Sequence, residues 1–339
     1  MKRIAAGLFG LFPSMLLTAQ TDSADFYYRK GMEEKSLQRP MMASRSFDKA
    51  IRFDNRHVDA YLANGFAQLD MRKTDEAIRY FTKVLELNPA NQSARAALME
   101  LYFNYRQFDQ AIKLAADCKS CPGSDRILGM CYYHREDYGN AIRLLQPLVK
   151  KNSTDTEAAY VLGRSYLDLE DYKNAIPCYL LAIQGDQPKK ERVYELGMLY
   201  YTVQDFKNAV SFFNKAAELG LNPTNDFLEN LGYAYIYAGN PDKGEEVLNT
   251  VIAKRPGNTQ FVRDIAHALY ESRNYDKALN FCQKLLEADS KDAKALYLAG
   301  MCFQQKGDKE KGQAMCDKAI DMDPSLNSLR SKKMDLGNL

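Results

Sequence analysis

The sequence predicts an all-α fold made of stacked helical pairs, because two ladders of small residues run through it with one period. Alanine, replaced twice by glycine, recurs at intervals of 34 residues, with one step of 30 and one of 35. A second ladder, mostly glycine, lies twelve residues ahead of the first. A constant period of this length is typical of a stacked repeat array. The ladders are Ala43, Ala77, Ala111, Ala141, Ala175, Ala209, Gly244, Ala278 and Gly312, and Gly31, Gly65, Met99, Gly129, Gly163, Gly197, Gly232, Ala266 and Gly300.

Each period has the pattern of two amphipathic helices joined by a short turn. In the fifth period Gly163 and Tyr166 fall on the first helix, and Ala175 and Tyr179 fall on the second. The polar segment 170–173 lies between them. Side chains at a helix crossing set the distance between the two axes. We therefore expect the small residues to let paired helices approach closely.

These motifs resemble the tetratricopeptide repeat family. The sixth period has Leu196-Gly197 with Tyr200 three residues on, then Ala209 with Phe213 four residues on. That family's pattern has Leu-Gly-x-x-Tyr in the first helix and Ala-x-x-x-Phe in the second. The resemblance implies a right-handed α-α superhelix, the tetratricopeptide repeat solenoid, with about nine repeats in residues 20–326.

The third repeat departs most from the pattern. It is four residues shorter than its neighbours and has Met99 where glycine is usual. We expect its second helix or the following turn to be trimmed, and this repeat to be the weakest part of the array.

The first 19 residues have the pattern of a secretory signal peptide. Lys2 and Arg3 precede the apolar run Ile4–Leu17, and Ala19 offers a small residue before a polar stretch. The run is shorter than the ~20 residues of a spanning helix. An uncleaved anchor is the alternative. The predicted location is periplasmic or otherwise extracytoplasmic, with a soluble protein after signal cleavage, and residues 327–339 are predicted to form a C-terminal capping helix.

The charges of the chain balance almost completely. Lysine and arginine number 46 against 44 acidic residues, and loss of Lys2 and Arg3 with the signal would make the two counts equal. A neutral chain has no overall electrostatic attraction for nucleic acid or for an anionic membrane. We expect no nucleic-acid partner and no membrane insertion after cleavage, while the oligomeric state stays open.

The seven cysteines allow three interpretations. Cys118 and Cys121 form a C-x-x-C in the shortened repeat, and they are either small buried residues, a structural disulfide, or a redox or metal site. Cys282, Cys302 and Cys316 occupy core-type positions that helix packing should bring together. The sequence does not decide whether either group is bonded.

No catalytic or metal-binding motif is recognisable. The three histidines, His57, His134 and His267, belong to different repeats. Nucleophile elbows, phosphate loops and paired carboxylates are all missing. We predict a protein that is not an enzyme and needs no cofactor and no metal.

The resemblance implies a binding surface on the concave face of the first helices. Tyrosine, methionine and arginine are enriched in protein interfaces, and we expect roughly a third of the apolar residues on this face to pack onto neighbouring helices instead. The predicted contacts are densest in repeats six and seven. The predicted partner-binding residues are Tyr160, Arg164, Tyr194, Met198, Tyr201, Tyr233, Ile236, Tyr237, His267 and Tyr270.

The predicted function is a non-catalytic interaction scaffold of the cell envelope that binds a protein or peptide segment in an aromatic groove. Two alternatives stay open. A structural, self-assembling envelope protein would use its ends, although the charges of residues 330–335 disfavour end-to-end stacking. A module that binds glycan or peptidoglycan peptides could also use tyrosines on a concave face.

Export gives a first testable prediction. The protein purified from its own cell envelope should begin at Gln20, because signal peptidases cleave after small residues such as Ala19. Intact-mass spectrometry measures this directly. A chain that starts at Met1 and resides in the cytosol would contradict the predicted compartment.

Overall fold

The computed structural model describes residues 12–116, 118, 121, 123–185 and 188–328, with side chains from residue 22 onward. This part of the chain is helical throughout and contains no strand, which confirms the all-α prediction. Eighteen α-helices follow one another in repeated pairs, as about nine repeats require. The chain divides into two compact units, Met1–Glu170 and Asp171–Leu339.

The first unit contains nine helices within its described residues. They are α1 (Phe12–Ser36), α2 (Pro40–Phe53), α3 (Val58–Asp70), α4 (Thr74–Leu87), α5 (Gln92–Asn104), α6 (Phe108–Ala116), α7 (Ser124–His134), α8 (Tyr138–Lys151) and α9 (Thr156–Asp168).

The described part of the second unit contains nine α-helices and a short 3₁₀ helix. They are α10 (Tyr172–Ala182), α11 (Lys190–Thr202), α12 (Phe206–Glu218), α13 (Asn225–Tyr237), α14 (Pro241–Lys254), α15 (Thr259–Glu271), α16 (Tyr275–Ala288), α17 (Ala293–Gln305), α18 (Lys309–Met322) and η1 (Pro324–Leu326).

The glycine ladder allows the two helices of a pair to touch. A Cβ atom built on Gly197 of α11 would lie 2.7 Å from Cδ1 of Phe213 on α12. In the first unit, a Cβ atom on Gly65 would lie 2.5 Å from Cε1 of Phe81. Both phenylalanines are completely buried. Each ring therefore occupies the space that a side chain on the first helix would fill, as the sequence predicted.

The turn within each pair follows from the way the first helix ends. In α11, Asp205 N–H donates to the Tyr200 carbonyl oxygen at 2.8 Å, and Gln204 N–H donates to the Tyr201 carbonyl oxygen at 3.0 Å. This pair of hydrogen bonds is the Schellman motif, which requires a left-handed residue. Gln204 has φ of +61°. The Asp205 carboxylate then accepts from Asn208 N–H and caps α12.

Non-glycine residues adopt this left-handed turn in seven of the nine pairs. Their φ angles lie between +56° and +62°. They are Gln38, Arg72, Arg106, Glu136, Glu170, Gln204 and Arg273, and Gly239 and Gly307 occupy the equivalent positions in the other two pairs.

The third repeat is trimmed in its second helix. Helix α6 has 9 residues, whereas α4 and α8 each have 14. A disulfide joins Cys118 to Cys121 directly after α6, with the two Cα atoms 5.6 Å apart. Both half-cystines are buried, and they contact Met99 and Ala115 in a small core cluster. The structural-disulfide interpretation of the C-x-x-C is thus the one that the structure favours.

The other five cysteines are buried and form no disulfide. Cys282, Cys302 and Cys316 belong to one core cluster of the second unit, as predicted, but they are not bonded to one another. Burial raises the pKa of the Cys302 thiol to about 12, so this thiol stays protonated and unreactive at neutral pH.

The predicted terminal segments fall largely outside the described residues. Of the predicted signal peptide, residues 1–11 are not described, and residues 12–19 form the beginning of α1. Of the predicted capping helix, residues 329–339 are not described.

The close contact between Gly197 and Phe213 makes a stability prediction. Gly197→Ala should lower the free energy of unfolding by about 1–2 kcal/mol, because overpacking against a buried ring outweighs the better helix propensity of alanine. Gly139→Ala in α8 is the matched control, since a Cβ atom added to Gly139 would meet nothing within 4 Å. The control should be neutral or stabilising by up to about 1 kcal/mol. Urea denaturation distinguishes the two, and equal effects would show that the glycine ladder does not set the helix contact.

The disulfide makes a second prediction. A disulfide that closes so short a loop lowers the conformational entropy of the unfolded chain. In the chain-entropy treatment this stabilises the folded state by about 2 kcal/mol. Replacing Cys118 and Cys121 by serine should therefore lower the amide protection of residues 92–116. In the protein with its disulfide intact, amide hydrogen exchange should still be faster in residues 92–116 than in residues 190–219, because α6 buries fewer residues than α12. Unchanged protection in the variant would show that the disulfide does not reinforce the short repeat.

Candidate functional site

Three aromatic side chains of the second unit connect two successive helical pairs. Phe206, the first residue of α12, meets the Tyr201 ring edge-on with ring centroids 5.4 Å apart. Its other side stacks on Tyr237 at the end of α13, with centroids 4.9 Å apart. Phe206 therefore bridges the tyrosines of two neighbouring first helices.

A cavity of about 490 Å³ opens beside these three rings. Apolar rings form one part of its wall and polar groups form the rest. The lining residues are Tyr201, Thr202, Gln204, Phe206, Tyr237 and Glu271. A pocket of this size, with aromatic walls and a few convergent polar groups, has the features of a ligand-binding site.

A carboxylate orients the tyrosine at the edge of the cavity. The Tyr237 hydroxyl donates a hydrogen bond to Glu271 Oε2 at 2.8 Å. Burial raises the pKa of Tyr237, and the bond to Glu271 raises it further. Burial also raises the pKa of Tyr201 and of Tyr233. All three hydroxyls are protonated at neutral pH, so those of Tyr201 and Tyr237 are hydrogen-bond donors at the cavity.

A second aromatic contact lies further toward the beginning of α13. The ring of Tyr194 stacks on Phe227 with centroids 5.3 Å apart. Asn230 directs its side-chain amide toward the Tyr194 hydroxyl at 3.3 Å and toward the Met198 sulfur at 3.4 Å. This amide thereby holds two of the predicted contact residues in fixed positions.

The charges of this face leave an excess of acid. Arg263 is paired with Asp292, with 2.6 Å between Nη2 and Oδ2, and Arg255 lies 3.5 Å from Glu229. Glu191 and Asp226 are exposed on the first turns of α11 and α13. Arg263 and Arg255 are thus compensated within the unit, and among the described residues Glu191 and Asp226 have no ion pair of this kind.

The structure leaves eight of the ten predicted contact residues partly exposed. All eight are half-buried. The His267 Nδ1 atom lies 3.8 Å from Glu271 Oε1. In the first unit, Arg164 Nη1 donates to the Tyr160 hydroxyl at 3.4 Å. The eight are Tyr160, Arg164, Tyr194, Met198, Tyr201, Tyr233, Tyr237 and His267.

Two predicted contact residues belong to the core instead. Ile236 has no exposed surface and Tyr270 is 7% exposed. Both belong to the hydrophobic cluster of the second unit, where Tyr270 also contacts the Tyr275 ring. Their positions in the repeat predict a place on the groove, but their side chains pack into the core cluster. The prediction is corrected at these two positions.

Phe206, Thr202, Gln204 and Asn230 belong to the site but are not among the residues predicted from the sequence. A signal for Phe206 was present, since an aromatic residue begins the second helix in five repeats. Those residues are Phe108, Tyr138, Tyr172, Phe206 and Tyr275. The others had no signal, because a polar residue at a helix end gives no indication of its neighbours.

Neither metal chemistry nor a membrane span is supported among the described residues. No group of three or more His, Cys, Asp or Glu side chains is arranged to hold a metal ion in this part of the chain. Over the same residues, no helix combines the length and the apolar character needed to cross a bilayer.

Family comparisons match most of the described chain. Two models described as tetratricopeptide repeat match residues 68–117 and residues 160–226, 229–293 and 263–327. A model described as anaphase-promoting complex, cyclosome, subunit 3 matches residues 124–182. No curated protein sequence matches the chain.

Three solved structures that match the chain are distant from it in sequence. PilF of Pseudomonas aeruginosa is 17% identical with a TM-score of 0.48, and the match covers 60% of this chain and 94% of PilF. YrrB, described as having an unusual peptide-binding site, is 24% identical with a TM-score of 0.39, over 56% of this chain and 98% of YrrB. A repeat protein from Parabacteroides merdae is 15% identical with a TM-score of 0.36, over 80% of this chain and 96% of its own.

Proposed function

The chain belongs to the tetratricopeptide repeat family, and from that premise we propose that it is a non-catalytic interaction scaffold of the cell envelope. Its partner is a protein or peptide segment. The binding surface is the face formed by α11, α13 and α15, together with the start of α12.

The observation that carries this proposal is the cavity between Tyr201, Phe206 and Tyr237. The rings are held by one another and by Glu271, so little side-chain entropy is lost when a partner binds. An aliphatic or aromatic side chain of the partner inserts between the rings. Hot spots of protein interfaces are concentrated in such preformed aromatic pockets.

The charges of the face indicate the chemistry of the partner. Glu271 lies at the cavity wall, so a lysine or arginine next to the inserted apolar residue would complement it. Glu191 and Asp226 lie exposed on the first turns of α11 and α13, ~15 Å along the helices from the cavity, and add to the negative charge of the face at a distance. The proposed partner segment therefore combines an apolar anchor with an adjacent basic residue.

Two features support an extracytoplasmic location. The N-terminal sequence has the pattern of a signal peptide, and Cys118 is bonded to Cys121. Structural disulfides persist in oxidising compartments and are rare in the cytosol. Both features are expected of an envelope protein.

Site-specific crosslinking in the native envelope tests this function. A photo-crosslinking residue at Thr202, on the cavity wall, should capture a discrete partner. Thr250 on α14 is the matched control, because both threonines are exposed and each hydroxyl donates to a carbonyl oxygen of its own helix. Tyr201→Ala with Tyr237→Ala should weaken capture by about 30-fold, as loss of a hot spot of ~2 kcal/mol implies.

Tyr237→Phe separates the ring from its hydroxyl. This variant keeps the stack on Phe206 and loses only the bond to Glu271, so capture should fall less than threefold if the ring is the anchor. Circular dichroism and thermal melting check that the variants fold. Capture at Thr250 but not at Thr202 would show that binding uses another face, and adducts only between copies of the chain would favour self-assembly.

A further inference from the structure

Exposed apolar side chains are concentrated in the first helical pair. Among the described residues, six of the twelve large apolar side chains that are well exposed lie between positions 26 and 53. They are Phe26, Met32, Leu37, Met41, Met42 and Phe53. Contiguous exposed apolar surface on a soluble domain marks an interaction site.

Three of these side chains share one side of α2 with three cations. At 100° per residue, the six exposed residues of α2 fall within about 120° of the helix circumference. We call this surface the α2 patch. It consists of Met41, Met42, Arg45, Lys49, Arg52 and Phe53, and it contains no acidic residue.

The acidic residue within α2 is engaged on another side. Asp48 Oδ1 accepts hydrogen bonds from the Asn64 amide at 2.8 Å and from the Tyr80 hydroxyl at 2.7 Å. Its charge is thus directed toward α3 and α4. Lys49 and Arg52 have no acid on the same helix face, whereas Arg45 lines a groove that it shares with Asp75 and Glu76.

Aromatic rings extend the α2 patch onto α1. Phe53 stacks on Tyr27 with ring centroids 5.5 Å apart, and Tyr27 meets Phe26 edge-on at 5.3 Å. The Lys49 ammonium lies 5.2 Å from the centre of the Tyr27 ring. Phe26 is 57% exposed. This end of the pair therefore presents aromatic rings and a cation together, next to the exposed carboxylates of Asp22 and Asp25.

Among the described residues, no other second helix combines three exposed cations with three exposed large apolar side chains. Helix α10 exposes one large apolar side chain, Leu180, and one cation, Lys173. Helix α8 exposes Arg143, Lys150 and Lys151 without any acid, but it exposes no large apolar side chain. Helix α18 exposes Met322 among charges of both signs. The α2 patch is therefore both basic and apolar, although positive and negative charges are nearly equal in number over the whole chain.

We propose that the α2 patch is a docking surface for an anionic phospholipid bilayer. Arginine and lysine are attracted to anionic headgroups, while methionine and phenylalanine enter the boundary between headgroups and acyl chains. The exposed side of α2 presents Met42, Lys49, Arg52 and Phe53 together, and Met41 and Arg45 line the groove beside it. A bilayer as the occupant rests on the proposed export, because a protein of the cell envelope lies next to membrane surfaces. Docking of this kind is peripheral and needs no inserted span.

Vesicle co-sedimentation of the protein purified from its own envelope tests the proposal. The protein should partition into vesicles of phosphatidylglycerol and phosphatidylcholine at least tenfold better than into phosphatidylcholine alone. Arg45→Gln, Lys49→Gln and Arg52→Gln together should lower the partition coefficient by about 100-fold, since each cation near an anionic surface contributes about fivefold. Met42→Gln with Phe53→Gln should lower it about tenfold with no change of charge.

The matched control replaces Arg143, Lys150 and Lys151 on α8 by glutamine. This removes the same charge from a surface without exposed large apolar side chains. This variant should lose less than threefold. All substituted residues are exposed, and circular dichroism checks the fold. Equal partitioning into both kinds of vesicle overturns the proposal. A retained apolar N-terminus, or a surface that binds a protein instead of lipid, would produce that result. An equal loss in the α8 variant also overturns it. Capture at Thr202 is measured separately, so either proposal can fail alone.

Discussion

The contact between a large side chain on one helix and a glycine on its partner is the constraint on which the rest of the structure depends. Phe213 fills the space over Gly197, and Leu248 fills the space over Gly232. This contact fixes how near the two helices lie and how each is rotated about its axis. The rotation decides which side chains face the core and which remain on the surface. A change of the small residue would therefore move the binding face as well as the core.

The aromatic face is a direct product of that rotation. Tyr201 and Tyr237 occupy equivalent regions of α11 and α13, and their spacing matches the size of the Phe206 ring between them. The rings are half-buried, so they both contribute to packing and present a surface. This double role explains why the face is ordered before any partner arrives. It also explains why truncation of these rings has to be checked for loss of stability.

Sequence reasoning predicted the repeat architecture well because its signals are local and repeated. The ladders through Gly197 and Ala209 predicted the paired helices, and the missing residues of the third repeat predicted the short α6. The direction of a side chain at the edge of the core could not be predicted. Ile236 and Tyr270 lie only a fraction of a turn from exposed positions, and tertiary packing decided their burial. The Cys118–Cys121 bond stayed open for a similar reason, since the spacing of two cysteines does not determine their geometry. The location in the envelope and the identity of the binding residues remain predictions.

The left-handed turns have a consequence for how the chain folds. Glycine would adopt this conformation without strain, but it would also widen the search of the unfolded chain. Seven turns use residues such as Gln204 and Arg273 instead, so each accepts some strain and restricts the backbone before the helices meet. The contacts within a pair are close in sequence, and such contacts form fast. Any regular pair can therefore serve as a starting point for folding, and the array can grow from several places at once.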